Sequence, residues 1–151
     1  MPYIIAGLGN PGEEYVHTRH NAGRIILEHI KKAYDFPEWK TDKMLTALIT
    51  KGEIEHEKVT LIEPETFMNK SGKTLLPLIT SEKKAEKLVV IYDDLDLPLG
   101  TMKMSFNRGS GGHRGLESIA KTIKTTAFIR IRIGIAPVTP GGKTKKPSGE
   151  V

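Results

Sequence analysis

The chain has 151 residues, 38% hydrophobic and 27% charged, the make-up of one ordinary globular domain with a real core. It has no cysteine, which excludes disulfides and thiol catalysis and points to a cytoplasmic home, and no apolar run approaches a membrane span. The net charge of +5 is unevenly placed: residues 1–100 balance at −3 and residues 101–151 at +8, a pattern that points to a polyanionic partner on one side of the molecule. The start, Met-Pro-Tyr-Ile, lacks the basic head and apolar stretch of a signal peptide.

The first predicted strand, about residues 3–8, is short, apolar and rich in β-formers. It runs into a polar loop where Gly7, Gly9 and Gly12 allow tight bends and close approach by a ligand, and Pro11 fixes one dihedral. Open α/β sheets bind ligands at the carboxyl ends of their strands, so Asn10, Tyr15, Arg19, His20 and Asn21 are candidate site residues. Gly7-x-Gly9-x-x-Gly12 also matches the dinucleotide fingerprint, which needs a helix opening at the third glycine to meet a pyrophosphate. Here Glu13 and Glu14 follow and would repel phosphate, and helical periodicity starts only at Ala22.

A helix is predicted over 22–34, capped by Asn21, with Ala22, Ile25, Ile26, His29, Ile30 and Ala33 on its apolar face and Arg24, Glu28, Lys31 and Lys32 mostly opposite. His29 on that face reads as a packed residue rather than a ligand. Asp35-Phe36-Pro37 ends the helix. Strands at 45–50 and 59–62 flank a hairpin turn expected at Gly52-Glu53. Residues 63–72 read as a loop carrying Phe67 and Asn69, and a helix from about Ser71 has Leu75, Leu76 and Ile79 as its apolar face, with Pro77 kinking or shortening it.

Residues 87–92, Lys-Leu-Val-Val-Ile-Tyr, form the clearest strand, apolar enough to be buried on both faces. Asp93, Asp94 and Asp96 follow directly and read as a loop at a strand's carboxyl end, with carboxylates placed to orient a histidine or cap the local backbone. Thr101–Phe106 reads as a strand. Residues 107–115 read as a second Gly-rich loop that opens a helix over 116–123, an arrangement that suits a phosphate or backbone cradle. The last strand, 128–135, alternates Arg130 and Arg132 against isoleucines, so both arginines share one face. Lys103, Arg108, Arg114, Arg130 and Arg132 thus carry positive charge in or beside regular structure.

Three loops, 9–21, 63–72 and 93–115, collect an imidazole, amides, carboxylates and a basic glycine loop. There is no Gly-x-Ser-x-Gly elbow, which argues against an acyl-enzyme. A histidine with a carboxylate partner can activate water directly, and side-chain amides can hold a developing oxyanion. That chemistry fits hydrolysis of an ester or amide in a phosphate-bearing substrate. No histidine, cysteine or carboxylate spacing marks a metal site.

Gly7-Leu-Gly-Asn-Pro-Gly, Tyr15, Thr18-Arg-His-Asn-Ala-Gly, Thr66-Phe-Met-Asn, Ser71-Gly-Lys, Asp93-Asp-Leu-Asp-Leu-Pro, Gly109-Ser-Gly-Gly-His-Arg-Gly-Leu and Arg132-Ile-Gly-Ile together resemble the bacterial-type peptidyl-tRNA hydrolases, in order as far as about Ala136. The resemblance implies a single α/β domain over 1–136, a twisted mixed β-sheet flanked by helices. Residues 137–151, rich in Pro, Gly and Lys, are then expected to be a mobile or truncated segment. It also implies cleavage of the ester joining a peptide to the 3′ end of tRNA, without metal or organic cofactor, by a cytoplasmic monomer that contacts the acceptor arm and 3′ end. By the same resemblance His20 is the general base and Asp93 stabilises its protonated form, while Asn10 and Asn69 contact the peptide near the scissile ester. Tyr15 and Phe67 flank the terminal nucleotide or aminoacyl group, Lys103 and Arg132 fit phosphate-binding positions of the tRNA surface, and His113 and Arg114 fall among the substrate- or tRNA-binding positions, Arg114 toward a substrate phosphate or a carbonyl.

The chain departs from many relatives in two places: Arg114 stands where they carry Asn, and they commonly continue past the position of Val151 into another strand and a helix beside the cleft. Two other classes fit parts of the pattern, a non-catalytic RNA-binding relative and a nucleotide-dependent oxidoreductase. Retention of His20, Asp93, Asn10 and Asn69 favours the enzyme over the first.

Overall fold

A computed structural model describes residues 2–8, 22–65, 71–107 and 114–136, without the side chains of residues 95, 96, 114, 135 and 136. The first strand, β1, is Tyr3–Gly7, and the helix α1, Ala22–Ala33, follows it. Next come β2 (Lys40–Asp42), β3 (Ala47–Ile54), β4 (Glu57–Pro64), α2 (Ser71–Leu75) and α3 (Glu82–Ala85). The chain continues through β5 (Leu88–Pro98), β6 (Met102–Phe106), α4 (Arg114–Ile123) and β7 (Ile129–Ala136). The seven described strands make one mixed sheet in the order β2-β3-β4-β1-β5-β7-β6. β1 lies parallel to β4 and β5, and β5 lies parallel to β7, so these four strands end at the same edge of the sheet. β2, β3 and β6 pair antiparallel and close the two sides.

Alternation along the strands sends side chains to two separate cores. On one face Ala6, Ile62, Val90 and Tyr92 pack with Leu75, Leu116 and Ile119 of α2 and α4. On the other, Leu61, Val59 and Ile91 pack with Leu27 of α1, and with Phe36. The sheet is therefore flanked by helices on both faces, as the apolar run of β5 requires. On the α1 face, Met102, Met104 and Phe106 stand opposite Ile133, Ile131 and Ile129, and these three β6 side chains are exposed.

Several local expectations change. The buried stripe of α1 is Gly23, Leu27 and Lys31, whereas Ile25, His29 and Ala33 are exposed. The cause is a backbone contact: a Cβ on Gly7 would lie 2.5 Å from the Gly23 carbonyl oxygen, and one on Gly23 would lie 2.3 Å from the Ile91 carbonyl oxygen. Only two facing glycines allow this approach, and it turns α1 so that the Gly23 side points inward. Lys31 is buried in this stripe, and its ammonium reaches the exposed carboxylate of Glu38 at 3.1 Å.

The hairpin turn falls at Glu55-His56, both left-handed with φ of 51° and 68°, rather than at Gly52. Gly52 belongs to β3, where the missing side chain leaves room for the Phe36 ring. Pro77 does shorten the second helix, which stops at Leu75, and Leu76 is exposed while Ile79 is buried. Glu63 and Pro64, expected in a loop, are the last residues of β4. Two short elements, β2 and α3, were not foreseen; Ser81 caps α3 by accepting from the Lys84 amide.

Candidate active site

Two of the segments that carry candidate residues leave the carboxyl ends of β1 and β4, and Asp93 lies within β5. From β1 departs the segment with Asn10, Tyr15 and His20, and α1 begins immediately after it at Ala22. From β4 departs the segment with Phe67 and Asn69, and α2 begins after it at Ser71. Gly72 fixes that start against α4: its amide donates to Ser118 Oγ at 2.9 Å, and a Cβ there would lie 2.4 Å from the Ser118 carbonyl oxygen. Residues 10, 15, 20, 67, 69 and 113 lie outside the described residues, and Arg114 enters only as the first residue of α4.

Asp93, Lys103 and Arg132 are described. Asp93 was expected in a loop after the strand. It lies within β5, which runs on to Pro98 by pairing with β7, Asp93 opposite Ile133 and Asp94 opposite Gly134. Its side chain is 2% exposed. By alternation it falls on the α1 face, the face of Ile91, at the strand end next to β1. A carboxylate so deeply buried must be partnered or it would not remain charged, and Asp93 does hold an interaction there.

Arg132 and Lys103 stand directly opposite one another across β7 and β6, on the other face of the sheet. Lys103 is exposed. Arg132 donates through Nη1 to Asp94 Oδ2 at 3.3 Å, with both side chains largely buried. Asp94 therefore anchors the guanidinium. Arg130 does share the face of Arg132, but it is completely buried, stacked 4.4 Å from the centre of the Phe128 ring and donating to the Thr126 carbonyl at 3.1 Å. It is a packing residue and drops out of the basic surface. Burial raises the Tyr92 hydroxyl above the usual tyrosine value, and neighbouring Arg130 opposes that rise.

The sequence reading missed one cluster beside the site. Arg24, assigned to the solvent side of its helix, donates through Nε to Glu63 Oε2 at 3.2 Å and through Nη2 to Glu65 Oε1 at 3.4 Å. Burial pushes the Glu63 carboxyl above its ordinary value, with Arg24 pulling the other way. The available signal was the position of Glu63 directly behind the apolar run of β4, where an acid needs a cation.

Among the described residues no group of three histidines or carboxylates could hold a metal ion, and no helix is long and apolar enough to cross a membrane. The third glycine of the dinucleotide-like pattern, Gly12, lies outside the described residues.

The model of the family described as peptidyl-tRNA hydrolase matches residues 4–148, nearly the whole chain. The chain belongs to the peptidyl-tRNA hydrolase family. A peptidyl-tRNA hydrolase of Syntrophomonas wolfei is 41% identical over 148 residues, covering 97% of this chain and 79% of the relative. One from Caldicellulosiruptor saccharolyticus is 45% identical over 138 residues, covering 89% and 71%. The crystal structure of peptidyl-tRNA hydrolase from Acinetobacter baumannii superposes with a TM-score of 0.83 at 34% identity, covering 97% of this chain and 77% of that one. The mixed sheet with helices on both faces is thus the fold of this hydrolase family.

Proposed function

We infer that this member of the family hydrolyses the ester between a peptide, or an N-blocked amino acid, and the 3′ end of tRNA, releasing both. The supporting observation is the buried carboxylate of Asp93 on β5, an inner strand beside β1, whose following segment carries His20. His20 takes a proton from water, and the water oxygen attacks the ester carbonyl. The carbonyl oxygen takes up the displaced electron pair while the Asn10 and Asn69 amides hold the peptide beside it. Collapse breaks the bond to the ribose oxygen, which receives the proton back from the imidazolium. Asp93 accepts from the second ring nitrogen, setting the tautomer and stabilising the cation. An imidazole with a pKa near about 6.5 is a competent base at neutral pH.

Tyr15 and Phe67 flank the terminal nucleotide or aminoacyl group, since aromatic faces stack on unpaired bases. Lys103, Arg132, His113 and Arg114 serve the acceptor arm and 3′ end. Peptidyl-tRNA arises during translation, so the activity belongs in the cytoplasm. We propose a monomer that needs no metal, because every group in this scheme comes from one chain. Residues 1–136 form the working domain in this reading. The test is release of N-acetyl-amino acid from N-acetyl-aminoacyl-tRNA, with free aminoacyl-tRNA as control. Rapid cleavage of the blocked substrate alone is expected; release no faster than in buffer would overturn the assignment.

Binding should be strongly salt-dependent, because each phosphate neutralised releases condensed counterion. Lys103→Ala is expected to weaken all tRNAs about equally and to reduce the slope of log K against log salt by roughly one unit. Titration of two tRNA species at several salt concentrations checks this. An unchanged slope would remove Lys103 from the phosphate contacts.

A further inference from the structure

Arg24 sits in the first turn of α1, four residues after His20. Glu63 ends the apolar part of β4, and Glu65 directly precedes the segment carrying Phe67 and Asn69. Glu63 and Glu65 are two apart, so both face α1, and one guanidinium spans them: Nε to Glu63 at 3.2 Å and Nη2 to Glu65 at 3.4 Å. Their side chains are 15%, 7% and 30% exposed, so water screens little of the interaction. We propose that Arg24, Glu63 and Glu65 form a clamp of positioning residues that holds the root of the His20 segment against the root of the Asn69 segment. This rests on the catalytic reading above.

The energetics favour a positioning role over a stabilising one. Two buried charges lose most of their solvation, and such pairs seldom add net stability over well-packed apolar side chains. What they supply is registry, since Arg24 contacts one carboxylate near the end of β4 and another just past it, and both contacts together fix the rotation and height of α1. Glu28, one turn further along α1, accepts the Trp39 indole N–H and adds negative charge near Glu63. The Gly7–Gly23 contact sets how closely α1 approaches the sheet. Arg24 sets where along β4 its first turn stops. Asp93 lies on the same face on the other side of β1, so the start of α1 stands between the clamp and the carboxylate assigned to His20.

The experiment measures single-turnover cleavage of N-acetyl-aminoacyl-tRNA, affinity for deacylated tRNA and thermal stability in Arg24→Gln, Glu63→Gln and the double variant that carries both. The single variants are expected to cleave about tenfold more slowly per folded molecule, because small misplacements of reacting groups are costly. Affinity for deacylated tRNA should stay within about twofold, and the double variant should be no slower than Arg24→Gln, as expected of residues that act as one unit. Full cleavage rates in folded single variants would overturn the clamp, as would losses that multiply in the double variant. Should the buried variants fail to fold, Glu65→Gln removes the more exposed limb alone, and an unchanged rate there also overturns it. Inactive wild-type protein overturns the catalytic reading and the clamp with it, whereas active wild type with fully active variants overturns the clamp alone.

Discussion

His20→Ala is expected to lower kcat by roughly 10²–10⁴ while affinity for deacylated tRNA stays near wild type. The reason is chemical: without the imidazole, water must attack as a weak nucleophile and the departing ribose oxygen loses its proton donor. Asp93→Asn should also slow turnover, through a misoriented imidazole or the wrong tautomer. Asp93 is 2% exposed on the α1 face of β5, so its effect extends beyond surface charge. Rates measured across pH distinguish the two roles. Loss of the base removes the rise of kcat/KM through the histidine range, whereas loss of the orienting carboxylate lowers the plateau. Wild-type turnover in His20→Ala would remove the general base from the scheme, and wild-type rates of Asp93→Asn at every pH would dissolve the pair.

The second large effect is structural. Gly23→Ala is expected to cost about 3 kcal/mol, because overpacking against atoms that cannot rotate away forces the backbone to move. The new Cβ would lie 2.3 Å from the Ile91 carbonyl oxygen and 2.7 Å from the Leu8 amide nitrogen, all backbone atoms. For a domain of this size the melting temperature should fall by roughly 6–12 °C. Gly100→Ala makes the comparison: its φ of 87° strains any side chain, but nothing lies within 4 Å, so the loss should be nearer about 1 kcal/mol. Denaturation of both variants in urea decides it. Equal midpoints for wild type and Gly23→Ala would show that α1 does not hold this close approach in solution.

Much of the fold was legible in the sequence because its signals are local. Continuous apolar runs identified β1 and β5, and the bounds of α1 fell within a residue or two of those expected. What escaped depended on partners far along the chain. Asp93-Asp-Leu-Asp looks like the end of a strand, because acids are poor β-formers, yet pairing with Ile133, Gly134 and Ala136 of β7 carries β5 on to Pro98. The turn was sought at Gly52, but that glycine answers to the Phe36 ring, and the chain reverses at two residues with side chains.

The sequence by itself determined the family, because ordered short motifs stay legible irrespective of how far apart the chain carries them. Only the tertiary structure decided which way α1 faces. Helical periodicity centres the inner face near Ile25, His29 and Ala33 as readily as near Gly23, Leu27 and Lys31, and the facing glycines turn the latter inward with Ile26 and Ile30 half-buried beside them. The same packing decided what each charge is for. Lys103 stays at the surface, Arg132 is anchored by Asp94, Arg130 is sealed over Phe128, and Arg24 is drawn inward to Glu63 and Glu65. A charged residue's role follows from whether water or a carboxylate surrounds it, and that is settled by residues up to 41 positions away, beyond the reach of any local pattern.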